Sequence, residues 1–457
     1  MVRVINQQTF DDVVKENMEE FGMSVEEAIE EAVQQFEAQG VNLSGIIKTV
    51  EMAEGKDPLI ICLNQLKEVL RLKSATAAGL TNLLMQLRDD CAKDLARRVL
   101  AGKQGAYPVL LDALDKFSND TPTMVLCLQA LTSLMTGFPD LLDDRGAMTI
   151  KSLLNTNQSS EVLQNTLKWS RTCCVNHETN RQMIVDKGVI PPVKALVEKN
   201  DKSLIPDLCG LVRALTLDDD VRAEVSKAHS HASALAIDLL CPFTNLLAQH
   251  KEDKKLVLEL VMTMNCLVVR NEFCAKVEEN GGIQFVIDVL TCYSPDERIV
   301  RNTLLLLKAL SGNDDVKLKV MQSGAHALVM LALHQHQKSV PVCLAGLGCL
   351  CILTLRSQDN SKVFVEQGAP DAVIQIMKIH PKELKVQRNC CWAIRNIVAR
   401  SPDLRKPFLK LGAEELINAA RRQHKELDYD AKSALRDLGC KVDFNEQWKG
   451  KGVQMIR

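Results

Sequence analysis

From about residue 58 onward, apolar side chains recur at the i, i+3, i+4, i+7 spacing that puts them on one face of an α-helix. Alternating, strand-type runs are nearly absent. Ahead of that point the pattern is also helical, but in two short pieces. Phe10, Val13, Val14 and Phe21 mark the first; Val25, Ala28, Ile29, Ala32, Val33 and Phe36 mark the second. Ser24 and Glu27 have the spacing of a capping box at the start of the second run, and Gly40 stands where a helix would stop. Between Asp11 and Glu37 there are ten acidic residues and one basic residue, Lys15, so the stretch carries a charge of −9. It reads as an acidic amphipathic helical segment over 1–57. Its charged face is either a solvated cap or a docking element for a basic partner.

The long helical region repeats itself. A block made of an apolar helix end, a polar turn, an amphipathic stretch, a glycine and a second apolar helix recurs. The copy with Pro139-Asp140-Leu141 and Gly146-Ala147 matches the one with Pro402-Asp403-Leu404 and Gly412-Ala413. Others centre on Gly105, Gly188, Gly281, Gly324 and Gly368. These glycines lie 41 to 44 residues apart, apart from one double gap of 93 between Gly188 and Gly281 that holds a degenerate copy. Two or three helices per period of about 40–47 residues, without strands, define a solenoid of the armadillo/HEAT class. Asp218-Asp219-Asp220 aligns with Asn313-Asp314-Asp315. Asp or Asn before an apolar run is the chemistry of a helix N-cap, so capping is the role expected of these residues. The predicted organisation is the acidic segment over 1–57, a solenoid of eight to nine units over 58–440 with an insertion near 223–240, and a tail over 441–457.

The blocks from Asn180-Arg181 to Gly188 and from Asn271 to Gly281-Gly282 resemble the armadillo repeat, and the likeness covers about residues 60–440. The resemblance implies an all-α, right-handed superhelix whose concave groove takes peptide or protein partners. Importin-α-type repeats carry a Trp and an Asn four residues apart on the groove-lining helix, where both share one face. Here that pair occurs once, as Trp392 with Asn396. Corresponding positions in other copies hold Gln129/Ser133, Lys168/Thr172, Gly210/Ala214, Met262/Cys266, Leu305/Ala309 and Gly348/Ile352. Recognition of nuclear-import cargo is therefore not expected, and Trp392 itself is either groove or core. Arg213, Lys308 and Arg395 share one repeat position. With Lys168, Trp392 and Asn396 they are the candidate groove residues: a modest basic row suited to an acidic peptide, which the N-terminal segment would cover in cis. The alternative for the row is solvated rim charge.

Composition narrows the choice. With Lys+Arg 56 against Asp+Glu 58, bulk charge does not favour nucleic acid, and aromatics at 4% are too few for a base-stacking surface. Sixteen scattered cysteines, none in a C-x-x-C, suggest free buried thiols in a reducing compartment. Met1-Val2-Arg3 leads straight into polar residues, so no secretory leader is expected. The uncharged run Ser339–Leu355 is too short for a span and reads as a helix buried in protein. A cytoplasmic location follows, with the nucleus as a second compartment.

Signatures of phosphate loops, nucleophile elbows and zinc proteases are missing, so neither catalysis nor a cofactor is expected. The odd feature is His229-Ser230-His231, set among Ala and Ser. It is an exposed loop or frayed helix end, a metal site short of ligands, or a modification site. Two histidines around a small residue resemble the acceptor pattern of protein histidine methyltransferases, which makes such an enzyme a candidate partner. His334-Gln335-His336 is a weaker copy. The expected function is a non-catalytic interaction scaffold. A nucleic-acid-associated adaptor is the alternative, and an enzyme whose site forms only in three dimensions a remoter one.

Overall fold

The computed structural model describes residues 3–53, 56–72 and 76–442. The chain forms two compact units, Met1–Asp238 and Leu239–Arg457.

The first unit opens with α1 (Gln7–Phe21) and α2 (Val25–Ala38), and the Ser24/Glu27 capping box is in place. Two features of this segment were not legible in its periodicity. Strands β1 (Arg3–Val4) and β2 (Val41–Asn42) pair in parallel, and the Gln7 side chain clamps the backbone of Ile47 from both sides, donating at 2.9 Å and accepting at 2.8 Å. Phe10, Val14, Ala32, Phe36, Leu43 and Ile46 form a core of their own, with the Phe10 and Phe36 rings 6.0 Å apart. The acidic segment is thus a folded module. After α3 (Val50–Ala53), buried Asp57 caps α4 and pairs with Arg97 at 2.7 Å, tying module to repeats.

The repeats of this unit are α4 (Pro58–Arg71) with α5 (Ala77–Lys93); α6 (Leu95–Lys103), α7 (Ala106–Lys116) and α8 (Thr121–Met135); a 3-10 turn at Pro139–Leu141, α9 (Asp144–Leu153) and α10 (Ser160–Cys174); then α11 (Glu178–Asp186), α12 (Ile190–Lys199) and α13 (Ile205–Leu215). The next helix, α14 (Ala228–Gln249), holds the division between the units. The second unit continues with α15 (Lys254–Leu267); α16 (Asn271–Glu279), α17 (Gly282–Cys292) and α18 (Glu297–Leu310); α19 (Asp314–Gln322), α20 (Ala325–Gln335) and α21 (Val340–Thr354); α22 (Gln358–Glu366), α23 (Ala369–Ile379) and α24 (Leu384–Val398); and α25 (Arg405–Lys410), α26 (Ala413–Gln423) and α27 (Asp428–Leu438). The last helix of each repeat stacks on the last helix of the next: α5, α8, α10 and α13 in one unit, and α15, α18, α21, α24 and α27 in the other.

Local chemistry sets these boundaries. Asp120, Asp253, Asp296 and Asn313 cap the helices that follow them. The marker glycine usually starts the second helix of a repeat in the left-handed region, as Gly368 does at φ +85°, where a Cβ is strained. Gly146 differs: an added Cβ would fall 1.9 Å from the Tyr107 hydroxyl, so here the glycine permits a close approach. Rings and carbonyls stitch neighbouring repeats. Tyr293 Oη donates to Lys251 O at 3.0 Å, and the Nε2 atoms of His336, His380 and His424 lie 2.7 to 2.9 Å from the carbonyls of Ser294, Gln337 and Pro381. A carbonyl only accepts, so each of these Nε2 atoms carries hydrogen.

Two apolar helices bear on the membrane question. α21 has 15 residues, about 22 Å of helix and short of a hydrocarbon core, and most of it is buried by neighbours. α14, at 22 residues, is long and apolar enough to cross by length and composition. It contains Pro242, and 61% of its most apolar window is buried inside protein.

Candidate functional site

Within each unit the last helices of successive repeats stack side by side, and the predicted groove residues lie on these helices: Lys168 and Arg213 in the first unit, Lys308, Trp392, Arg395 and Asn396 in the second. The stacks share an internal rule. On four of these helices a residue three positions beyond the slot residue reaches across to the next helix in the stack. On α5 this is Arg88, which donates to Gln129 Oε1 of α8 at 3.1 Å; on α10 it is Arg171, whose stem lies over Gly210 of α13. On α18 it is Lys308, whose stem lies over Gly348 of α21; on α24 it is Arg395, paired with Asp437 of α27 at 3.1 Å. Where importin-type repeats place a Trp, this chain twice places a glycine that makes room for a cation from the preceding repeat.

Among the predicted residues, Lys168 is exposed on α10 with its Nζ 3.9 Å from Asp207. The residue of α10 that matches Arg213, Lys308 and Arg395 is Arg171, three places further on, which the sequence alignment of copies missed. Arg213 is half-buried on α13 and is engaged. Arg395 is neutralised by Asp437, so the row is less basic than its sequence suggests. Trp392 is not core: it is 41% exposed, and its indole donates to Asp430 Oδ1 at 2.9 Å. Among the described residues the buried tryptophan is Trp169, whose indole points at Met135 Sδ, 3.2 Å away. Asn396 donates to the Cys351 carbonyl of α21 at 2.9 Å. The fold brings Lys308, Trp392 and Asn396 together around one cleft of about 170 Å³, with Gly348, Ile352 and Asn389.

The His229-Ser230-His231 segment requires a correction. Of the loop and helix-end placements it is the helix end: residues from 228 onward form the first turns of α14, the helix-free stretch is 216–227, and only the exposure expected of both rings fails. His229 is exposed, but His231, two residues on and on the opposite side of the helix, is only 3% exposed. Its Nε2 lies 3.2 Å from Gln182 Oε1 and its Nδ1 3.9 Å from Glu178 Oε1; Nδ1 is buried without a hydrogen-bond partner. Burial pushes the His231 pKa down, against the opposing pull of the Glu178 carboxylate.

Asp218–Asp220 correct a second expectation, since no helix follows for them to cap. Asp219 instead pairs with Arg181 at 2.6 Å and accepts from Asn176 N, and Asp220 accepts from Glu178 N at 2.9 Å. The Arg222 guanidinium holds the Asp220 carboxyl far below its ordinary range and also reaches Asp140 at 2.7 Å. Arg181, 1% exposed, binds Glu178 and the Cys174 carbonyl as well. This polar clasp holds residues 216–227 where neighbouring repeats place a first helix.

The thiols are mostly core. Burial pushes Cys127, Cys174 and Cys391 up to about 12, leaving them protonated and poor nucleophiles near neutrality.

A stack of three-helix repeats of about 43 residues, with glycine-started second helices and last helices sharing a face, defines an armadillo-type repeat protein. The ARMC6 family model matches residues 60–457, and the armadillo repeat-containing protein 6 N-terminal domain model matches residues 2–59. The chain is 38% identical to the armadillo repeat-containing protein 6 homolog of Drosophila melanogaster, with all of both chains covered. It is 36% identical to armadillo repeat-containing protein 6 of Homo sapiens, over 98% of this chain and 93% of that one. It belongs to the armadillo repeat-containing protein 6 family. Among solved structures, one from work on a phosphorylation switch controlling the interaction between cadherin and beta-catenin matches with a TM-score of 0.60 at 14% identity, over 82% of this chain and 69% of that one. The crystal structure of an engineered protein matches with a TM-score of 0.57 at 14% identity, over 83% and 100%.

Proposed function

We propose that the protein is a non-catalytic scaffold that binds protein or peptide partners on the face made by the last helices of its repeats. The observation that carries this reading is the cleft around Trp392. A large aromatic stands exposed there beside Lys308 and two asparagine amides, an arrangement suited to contact with a partner. The beta-catenin relative in fold comes from a study of a protein–protein interaction, which is in keeping with it. The cytoplasm, with the nucleus as a second compartment, is the proposed location. Crosslinking the full chain to partners captured from cells tests the assignment. Crosslinks should concentrate on α8, α10, α13, α18, α21 and α24; concentration on the second helices overturns it.

The exposed imidazole of His229 favours a second role, as the substrate of a protein histidine methyltransferase. The burial of His231 restricts that role, because its ring is reachable only if the start of α14 opens. Mass analysis of the peptide spanning both residues, from cell-derived protein, tests it. A methyl group on His229 supports the reading, and its absence at all stoichiometries removes it.

A further inference from the structure

The second unit carries, on α18, α21 and α24, a cleft in two adjoining parts. The first, about 540 Å³, is walled by Arg298, Arg301 and Lys308 of α18 and floored by Val340, Pro341 and Leu344 of α21. The second, about 170 Å³, is lined by Ile352, Leu355 and Trp392. Lys308 and Asn389 border both parts, so the two adjoin. We infer that this cleft is the recognition site of the scaffold, and that it takes an extended acidic peptide: an apolar side chain beside Trp392, and closely spaced carboxylates against the α18 cations. The inference rests on the interaction reading above and narrows it to a place and a chemistry.

Charge complementarity argues for this occupant. Positions 298, 301 and 308 fall on one face of α18 within about 15 Å of helix. None of the three has a carboxylate partner among the described residues, whereas Lys168 and Arg395 do. The one carboxylate in the lining, Glu297, accepts from Ser339 Oγ at 2.7 Å. Three cations therefore face one engaged anion. Gly348 is part of the device: a Cβ there would lie 3.1 Å from Lys308 Cδ, so the glycine lets the lysine stem cross α21 to the junction of the two parts. Backbone recognition is also provided for. Asn389 and Asn396 each donate Nδ2 to a carbonyl of α21, at 3.4 and 2.9 Å, and each leaves its Oδ1 as an acceptor for a peptide N–H.

The test uses the full chain as bait for a display library of random dodecapeptides. Fluorescein-labelled copies of the enriched sequences are then measured by polarisation. Arg301→Glu with Lys308→Glu and, separately, Trp392→Ala are compared with a control, Lys378→Glu with Lys410→Glu, on α23 and α25. All these side chains are on the surface, and circular dichroism checks the folding. Enriched peptides should combine an apolar residue with several Asp or Glu. Binding should fall about tenfold or more in the double reversal, fall in Trp392→Ala, weaken with salt, and hold in the control. Peptides without acidic bias, or binding unmoved by the double reversal, overturn the cleft assignment. Hydrogen exchange separates the two levels of the account. Protection by such peptides on other last helices leaves the scaffold reading standing without this cleft, and protection on none of them removes both.

Discussion

Replacing Arg181 with Leu should unfasten the clasp that stands in for a missing helix. The guanidinium is 1% exposed and makes bonds of 2.6 to 3.0 Å to Asp219, to Glu178 and to the Cys174 carbonyl. Asp219 is open enough to recover water, but the Glu178 carboxylate is buried and would be left as an uncompensated charge. Removing one partner of such a pair costs about 3–5 kcal/mol. Adding Glu178→Gln removes the stranded charge while keeping an acceptor for the Lys227 N–H, so the double variant should recover about half of the loss. A repeat protein of this length need not unfold in one step, so global melting is the wrong readout alone. Hydrogen exchange resolved by peptide is the assay. In Arg181→Leu, residues 174–186 and 216–231 should lose protection while α21 to α24 keep theirs. A loss under about 1 kcal/mol, or additive losses in the double variant, would refute the clasp as the element holding 216–227.

Four further expectations follow from individual positions. His229→Ala should change stability by no more than about 0.5 kcal/mol, while His231→Ala should cost several times as much in urea titrations, because only the second ring is buried. Since the folded pKa of His231 lies below its ordinary 6.5, the unfolded chain binds that proton more readily. Wild type should therefore lose stability as pH falls below about 6.5, and His231→Phe should flatten that slope. Arg356, at φ +61°, occupies a left-handed position where the corresponding turn elsewhere uses Gly137; Arg356→Gly should stabilise by about 0.5 kcal/mol, the relief of strain exceeding the added chain entropy. Gly146→Ala should destabilise by about 1–3 kcal/mol, since Tyr107 must move and give up its 3.0 Å bond to Asp143.

The helical repeats were legible because their burial pattern is local: periodicity, capping residues and the marker glycines each act within one turn of chain. Gly105, Gly281, Gly324, Gly368 and Gly412 all start a helix at positive φ, as a 43-residue period of glycines suggests. What the sequence concealed depends on contacts between repeats. His336 looked like part of an H-x-H copy, yet its ring ties two repeats together. Its spacing of 44 from His380, and of another 44 to His424, was the available signal. Asp219 and Asp220 had the composition of N-caps, but no helix follows them, and they turn to Arg181 and Arg222 instead. Of the proposed face, the sequence pointed to Lys308 but not to Arg171, Arg298 or Arg301, whose positions need the stacking of helices to be seen. The neutralising Asp437 lies 42 residues from Arg395, beyond the reach of any local pattern.

The most direct test of the face itself is quantitative affinity capture of the full chain from cells, comparing two charge-reversed forms. One carries Arg298→Glu, Arg301→Glu and Lys308→Glu on α18; the other carries Lys362→Glu, Lys378→Glu and Lys410→Glu on α22, α23 and α25. Both change the net charge equally and alter exposed residues only. Binding on the last-helix face predicts that the first form loses specific partners and the second retains them. Equal recovery by the two forms, or loss confined to the second, would contradict it.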